Sequence, residues 1–471
     1  MAGDKQSASY RILAKLAYLL SARWVREALQ AVFFIYLARV SAATYGEFML
    51  ALGLGSILVL VGEFGLNLPL VGLLSRRQDT WETLMMVSLL KGWFLLLGAL
   101  GALVFLVWQD YSPALKQVML VIGAGVGLEA LASTFFVALQ VEGRQQYEGA
   151  TKVVGAALGF GYGLITLALG APPLVIACFK LIETIINISG GAAACLPVGK
   201  WRLPKLAFSR LGAMAQSGML FALIEVTAVF YNKANLFFLQ RYGGSQGVAQ
   251  YSVTWQMVDG FSCLASNLLL QSVLFPLFVK LWEVDRGAVS RLAQDTARWL
   301  LLTALALMFV LAVESDRLIT LIYGPQYPEA VWMQKYLVVT IVFAFLHNLA
   351  AFLMISMRLE RLLLVFYLAG LVLNLLWCAL VIPVTPLWGA SWAMIVTKGG
   401  VALLTVSYIQ KRLRLMPFWS FLLLVLAALG GLALYFLAKP YLPREGAEFL
   451  ALLPLLGLAV SWWRQRLRLF P

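Results

Sequence analysis

Arg23, Arg26, Glu27, Glu63, Lys91, Glu129, Lys180, Glu183, Glu225, Lys233, Asp259, His347 and Lys398 all fall inside apolar stretches of bilayer-crossing length. A charge at the centre of a membrane helix costs about 2.5–3.5 kcal/mol on insertion scales, and it persists where it faces a cavity or a partner. These residues therefore predict a polar path or pocket within a bilayer. The basic ones, Arg23, Arg26, Lys91, Lys180, Lys233 and Lys398, are candidates for holding an anionic substrate. The acids and His347 are candidates for carrying H⁺ or Na⁺. The acids among them equal the Lys and Arg in number, so pairing between helices is the competing reading for each.

Arg23 and Arg26 lie three residues apart and so share a helix face. A guanidinium offers a planar fork of donors that matches phosphate oxygens. The other reading is that both snorkel to the headgroups. Glu27, four residues from Arg23, would steady it and blunt its charge. Lys180, Glu183 and Asn187 form a stripe at i, i+3 and i+7, which fits a face looking into a cavity or a self-satisfied Lys–Glu pair. Asn232 repeats the face of Glu225, and Asp259 and Lys398 stand near the middle of their own stretches. Glu63 and Glu129 are single acids on apolar helices, which protonation or a Lys partner would relieve. His347 could relay a proton or make a structural hydrogen bond.

Enzyme signatures are missing. The chain has no GKS/T phosphate loop, no HExxH and no CxxC pair, so neither a metal nor another cofactor is expected. Cys178, Cys195, Cys263 and Cys378 lie in or beside apolar stretches and read as packing residues.

The elements that must position these groups are membrane helices. The chain has 471 residues, is 62% hydrophobic and only 12% charged, with a mean hydropathy of +0.87. Soluble domains run at about 45–50% apolar and about 25% charged. Fourteen apolar segments are bounded by Gly, Pro and charge clusters: 16–39, 46–74, 83–108, 114–141, 149–169, 172–196, 214–240, 248–278, 298–322, 334–356, 361–382, 387–410, 417–437 and 447–463. The net charge of +14 would suit nucleic acid, but its placement in short connections does not. Basic residues such as Arg76, Arg77, Arg144, Lys200, Lys280, Arg286, Arg358, Arg361, Lys411 and Arg464 favour one side by more than three to one. That bias predicts cytoplasmic termini. The first ten residues lack a small-residue cleavage site and are expected to be retained. Gly155, Gly159 and Gly163 recur every four residues, a face that lets another helix come close.

An internal repeat orders the spans. The corner at Ala38-Arg39-Val40 corresponds to Gln240-Arg241-Tyr242, Gly143-Arg144 to Arg358–Arg361, and Pro172-Pro173 to Pro386, at a near-constant offset. The predicted architecture is an all-α polytopic membrane protein of about 14 transmembrane helices. Two six-helix lobes, 1–199 and 200–412, form a parallel repeat around a central cavity, and 413–471 adds two helices and a cytoplasmic tail.

The stretch from Arg23 to Arg77 resembles bacterial Wzx-type polysaccharide flippases, members of the multidrug/oligosaccharidyl-lipid/polysaccharide exporter superfamily. The residues that carry the likeness are Tyr36-Leu37-Ala38-Arg39, Tyr45-Gly46-Glu47-Phe48, Glu63-Phe64-Gly65-Leu66-Asn67 and Arg76-Arg77. The resemblance implies a protein of the bacterial inner membrane working by alternating access. It would flip an undecaprenyl-pyrophosphate-linked glycan from the cytoplasmic to the periplasmic leaflet, with ion coupling in some members. It also implies service to lipopolysaccharide O-antigen or exopolysaccharide synthesis, beside polymerase and chain-length machinery. A lipid II flippase or multidrug exporter of the same superfamily is the nearest alternative. A membrane-embedded polymerase, ligase or acyltransferase is disfavoured, because the longest external connection, near Tyr323–Met333, is about a dozen residues.

Overall fold

The computed structural model describes residues 22–75, 80–195, 208–265, 270 and 274–469. Among these residues all regular structure is helical, and no strand is present. Apolar side chains destined for lipid leave the backbone no solvent partner, and a helix satisfies its own backbone. Chain contacts divide the protein into two compact units, Met1–Ala249 and Gln250–Pro471.

The first unit holds α1 (22–40), α2 (Ala42–Glu63), α3 (Asn67–Ser75), α4 (Thr80–Trp108), α5 (Pro113–Val141), α6 (Gln145–Ala168) and α7 (Pro173–Cys195). It also holds the larger part of α8 (Phe208–Ala265). The second unit carries α9 (Phe275–Val284), α10 (Arg286–Val313), α11 (Ser315–Tyr323), α12 (Pro328–Leu337) and α13 (Val339–Ser356). α14 (Glu360–Val381), α15 (Pro386–Leu413), α16 (Phe418–Ala438) and α17 (Arg444–Leu469) complete it.

Twelve helical stretches among the described residues are long and apolar enough to cross a membrane. One of them, Gly218–Ser262, is two helices in succession, because Gly244 (φ 65°, ψ −176°) interrupts α8. α1, which carries Arg23, Arg26 and Glu27, stands where the first crossing was expected. With α1 and with α8 divided at Gly244, helices stand at all fourteen expected positions, twelve stretches of them meeting the length and apolarity of a crossing. Their outer faces are apolar, as lipid requires: Leu96, Leu100, Val104 and Val107 along α4 are all exposed.

Several boundaries differ from expectation: the stretch expected at 298–322 divides at Glu314 into α10 and α11, and the one expected at 334–356 divides at Val338 into α12 and α13. α10 begins at Arg286 rather than 298, because Val289, Ala293 and Ala297 keep a buried helical stripe beneath the charged residues. The stretch expected at 46–74 breaks at Phe64 and Gly65, both with positive φ. Gly65 is required twice over there: its φ is 62°, and a Cβ would stand 2.5 Å from the Gly218 carbonyl oxygen of α8. The external connection near Tyr323–Met333 contains the short α12 rather than loop alone. Arg76, Arg77 and Lys200, and the side chain of Cys263, lie outside the described residues.

Within the first unit, α1, α2, α6 and α7 share an aromatic core. Phe33 lies 4.7 Å from Phe179, Phe160 lies 5.4 Å from it, and Phe48 stacks on it at 6.2 Å. Within the second, α16 and α17 pack on α10 through Leu301, Leu302, Leu424 and Leu455, with Trp299 edge-on to Trp462. Arg444, at the start of α17, pairs with Glu314 at 2.7 Å and Asp316 at 2.6 Å, tying this helix to the α10–α11 corner.

Candidate functional site

Glycines bring the charged residues of the first unit together. On α6, a Cβ at Gly159 would stand 2.8 Å from the Phe179 carbonyl oxygen and 2.9 Å from Glu183 Cβ. One at Gly155 would stand 2.8 Å from Asn187 Oδ1. On α5, a Cβ at Gly125 would meet Lys180 Cγ at 2.8 Å. α7 is thus seated between the glycine faces of α5 and α6, and its polar stripe is held inward. Glu183 is fully buried, and Lys180 and Asn187 are nearly so.

The stripe closes a ring of alternating charge across three helices. Arg26 Nε on α1 donates to Glu183 Oε1 at 2.9 Å. Glu183 Oε2 accepts from Lys180 Nζ at 2.7 Å. Lys180 also donates to Glu129 of α5, and Arg26 Nη2 lies 3.7 Å from Glu129 Oε1, completing the circuit. Glu27 adds a looser contact to Arg26 at 3.6 Å. Each buried charge has opposite charge on both sides, the arrangement that lets an ion pair persist in a low-dielectric interior. The ring is graded in access: Glu183 is shut off, whereas the Arg26 and Glu129 side chains keep 22% and 27% of their surface. Arg23 is exposed one turn along the same face, with no ion pair among the described residues.

Lys91 stands apart from this ring. It is wholly buried, and its three N–H donors go to neutral acceptors: Asn67 Oδ1 at 2.7 Å, Ser133 Oγ at 2.8 Å and the Ala130 carbonyl at 3.1 Å. It joins α3, α4 and α5 just beyond the break at Phe64–Gly65. Glu63, on the other side of that break, is within electrostatic reach of both Lys91 and Glu225. Lys233 on α8 has interactions of its own.

In the second unit, Lys398 pairs with Asp259 at 3.1 Å and lies 4.3 Å over the Trp255 ring. His347 is buried between Thr405 Oγ1 and Tyr367 Oη, each 3.0 Å from a ring nitrogen. Pairing thus claims Arg26, Lys180, Lys398, Glu129, Glu183 and Asp259. Among the described residues no group of three His, Cys, Asp or Glu side chains could hold a metal ion.

Sequence reasoning did not single out Ser133, Trp255, Tyr367 or Thr405. Neutral partners carry no signal in a single chain. The helical spacing of Lys398 and Thr405, seven residues apart on α15, was the one available hint.

A family profile described as "Polysaccharide biosynthesis protein" matches residues 36–332. No curated protein sequence matches the chain. Among solved structures, the lipid II flippase MurJ in an inward closed conformation is similar with a TM-score of 0.72 and 12% identity, over 95% of this chain and 99% of that one. An inward-facing multidrug resistance MATE transporter of the MOP superfamily is similar with a TM-score of 0.63 and 13% identity, over 83% and 94%. A MOP superfamily transporter from Pyrococcus furiosus, described as having a binding pocket of reversed polarity, has a TM-score of 0.56 and 13% identity, over 86% and 95%. At such identities the likeness establishes a shared fold.

Proposed function

The chain belongs to the polysaccharide biosynthesis protein family, and from that premise we propose that it flips undecaprenyl-pyrophosphate-linked oligosaccharide units across the bacterial inner membrane. Movement is from the cytoplasmic to the periplasmic leaflet by alternating access. Both termini are cytoplasmic, and the protein supplies polymerase and chain-length machinery making O-antigen or exopolysaccharide. No covalent bond is made or broken.

The observation that carries this reading is the charge ring of Arg26, Glu129, Lys180 and Glu183 inside a membrane unit, with Arg23 exposed beside it and in no ion pair among the described residues. Arg23 meets the pyrophosphate first. Arg26 holds Glu129 and Glu27 at only 3.6–3.7 Å, so a phosphate oxygen within hydrogen-bonding distance would outcompete them. Glu183 meanwhile keeps Lys180 and the inner half of the ring in place. Once Arg26 turns to phosphate, Glu129 loses one of its two cations. Being the more accessible acid of the ring, it is the residue to accept H⁺ or Na⁺.

The test is transport by the purified protein in liposomes carrying undecaprenyl-pyrophosphate oligosaccharide. Arg23→Ala with Arg26→Ala should abolish transport while insertion and yield are retained. Normal transport by that variant would overturn the site assignment.

A second reading is favoured by the likeness to the lipid II flippase over nearly the whole of both chains. In it the cargo is lipid II, which carries the same polyprenyl pyrophosphate. Offering both lipids to one preparation separates the two, because the pyrophosphate contacts are common and the sugars are not.

A further inference from the structure

Outside the charge ring, the second unit contains a cavity of about 770 Å³ on the side assigned as cytoplasmic. One wall is the end of α9 and the start of α10, with Trp282, Glu283, Val284 and Arg286. The other is the α13–α14 corner, with Ile355 and Arg358. Its volume lies in the range of about 300–1,000 Å³ usual for small-molecule sites. Neither the ring nor the transport reading uses it.

The lining carries both signs of charge. The Arg286 guanidinium lies 4.9 Å from the centre of the Trp282 ring. Arg358 Nη2 and Glu283 Oε1 face each other across the cavity at 3.8 Å, with 87% and 69% of their side chains exposed. So exposed a pair contributes little to stability and opens readily to a ligand bearing both charges. Glu360, in the first turn of α14, adds a second carboxylate. Arg358 also sits in the left-handed region at φ 58°, where a non-glycine residue is strained.

The surroundings belong to a membrane surface. α9 buries Phe278 and exposes Leu277 and Val284, seven residues apart and so on one face. An amphipathic helix with such a face and a tryptophan at its edge rests at the boundary between headgroups and acyl chains. A ligand here is therefore offered by the leaflet.

We propose that this cavity binds the headgroup of a zwitterionic phospholipid with a primary ammonium. Arg286 and Arg358 take its phosphate, Glu283 and Glu360 take its ammonium, and its chains lie along the exposed face of α9. A trimethylated ammonium has no N–H to donate, and an anionic glycerol headgroup leaves both glutamates without a partner. The site is separate from the transport reading and stands or falls without it.

The test is native mass spectrometry of the full chain released from detergent with competing lipids. The probes are phosphatidylethanolamine, phosphatidylcholine, phosphatidylglycerol and undecaprenyl pyrophosphate. Phosphatidylethanolamine should be retained about tenfold better than phosphatidylcholine or phosphatidylglycerol, as expected for one or two charge-assisted hydrogen bonds. Arg286→Gln with Arg358→Gln should erase that preference. Lys335→Gln with Lys439→Gln, at exposed sites outside the cavity lining, should leave it. If the first variant fails to fold, Arg358→Gln alone, at an 87% exposed side chain, should still reduce retention several-fold, by loss of one phosphate contact. Equal retention of the three phospholipids, preference for phosphatidylglycerol or undecaprenyl pyrophosphate, or an unchanged preference in the arginine variants would each overturn the proposal.

Discussion

Arg26 on α1 and Glu183 on α7, 157 positions apart in sequence, meet at 2.9 Å inside a membrane unit. Glu183 is the wholly buried corner of the charge ring and holds both of its cations. Removing it opens the ring and leaves Lys180 and Arg26 to share the one remaining ring carboxylate, Glu129.

Glu183→Gln should therefore destabilise the protein by about 3–5 kcal/mol, the usual penalty for breaking a buried pair from one side. Thermal melting in detergent reads this out. Arg26→Met combined with Glu183→Met should recover part of the loss, because the two residues are coupled. Glu27→Gln, at a looser and more exposed contact, should change little.

The glycine face of α6 should be as sensitive as the charges it positions. Gly159→Ala puts a methyl group 2.8 Å from the Phe179 carbonyl and 2.9 Å from Glu183 Cβ. Overpacking of this kind costs about 1–3 kcal/mol. Transport should fall with stability. Gly161→Ala, on the same helix with nothing within 4 Å, should be neutral. Equal effects at the two positions would mean that close approach of α7 does not matter.

How far the sequence disclosed this site follows from what a one-chain pattern can carry. The fourteen spans were legible because bilayer length and hydropathy impose them, and the breaks at Pro172-Pro173 and Pro386 because proline and glycine punctuate helices. The stripe of Lys180, Glu183 and Asn187 was visible from helical spacing. Its partners were not, since Arg26 and Glu129 reach it only through packing of α1, α5 and α7. Gly155, Gly159 and Gly163 were read as a packing face, yet nothing in their spacing says that they seat Glu183. α10 was placed too late because its charged first turns mask a buried stripe beneath them.

Lys91 tests whether a basic residue in this unit binds or braces. With three neutral acceptors already filled, Lys91→Ala should cost about 1–3 kcal/mol for each buried acceptor left unpaired. Transport should fall with the amount of folded protein, while the apparent KM of what remains stays unchanged. A raised KM at normal yield would return Lys91 to the substrate path.

Acid should loosen α17 in a defined window. Hydrogen bonds from Arg444 hold the Asp316 carboxyl below the ordinary aspartate range, at about 2. A depressed carboxyl adds stability above its ordinary pKa, and that contribution is lost as pH falls through the folded value. The melting-temperature gap between the wild-type protein and Asp316→Asn should be complete at about pH 5 and shrink between about pH 4 and pH 2. A gap independent of pH would remove Asp316 from the account.

The most direct test of the transport reading is the leaflet distribution of undecaprenyl-pyrophosphate oligosaccharide in cells from which this gene is deleted. Completed units should accumulate facing the cytoplasm, and the intact protein should relieve that accumulation, whereas Arg23→Ala with Arg26→Ala should not. Completed units reaching the periplasmic leaflet at the normal rate without the protein would contradict it.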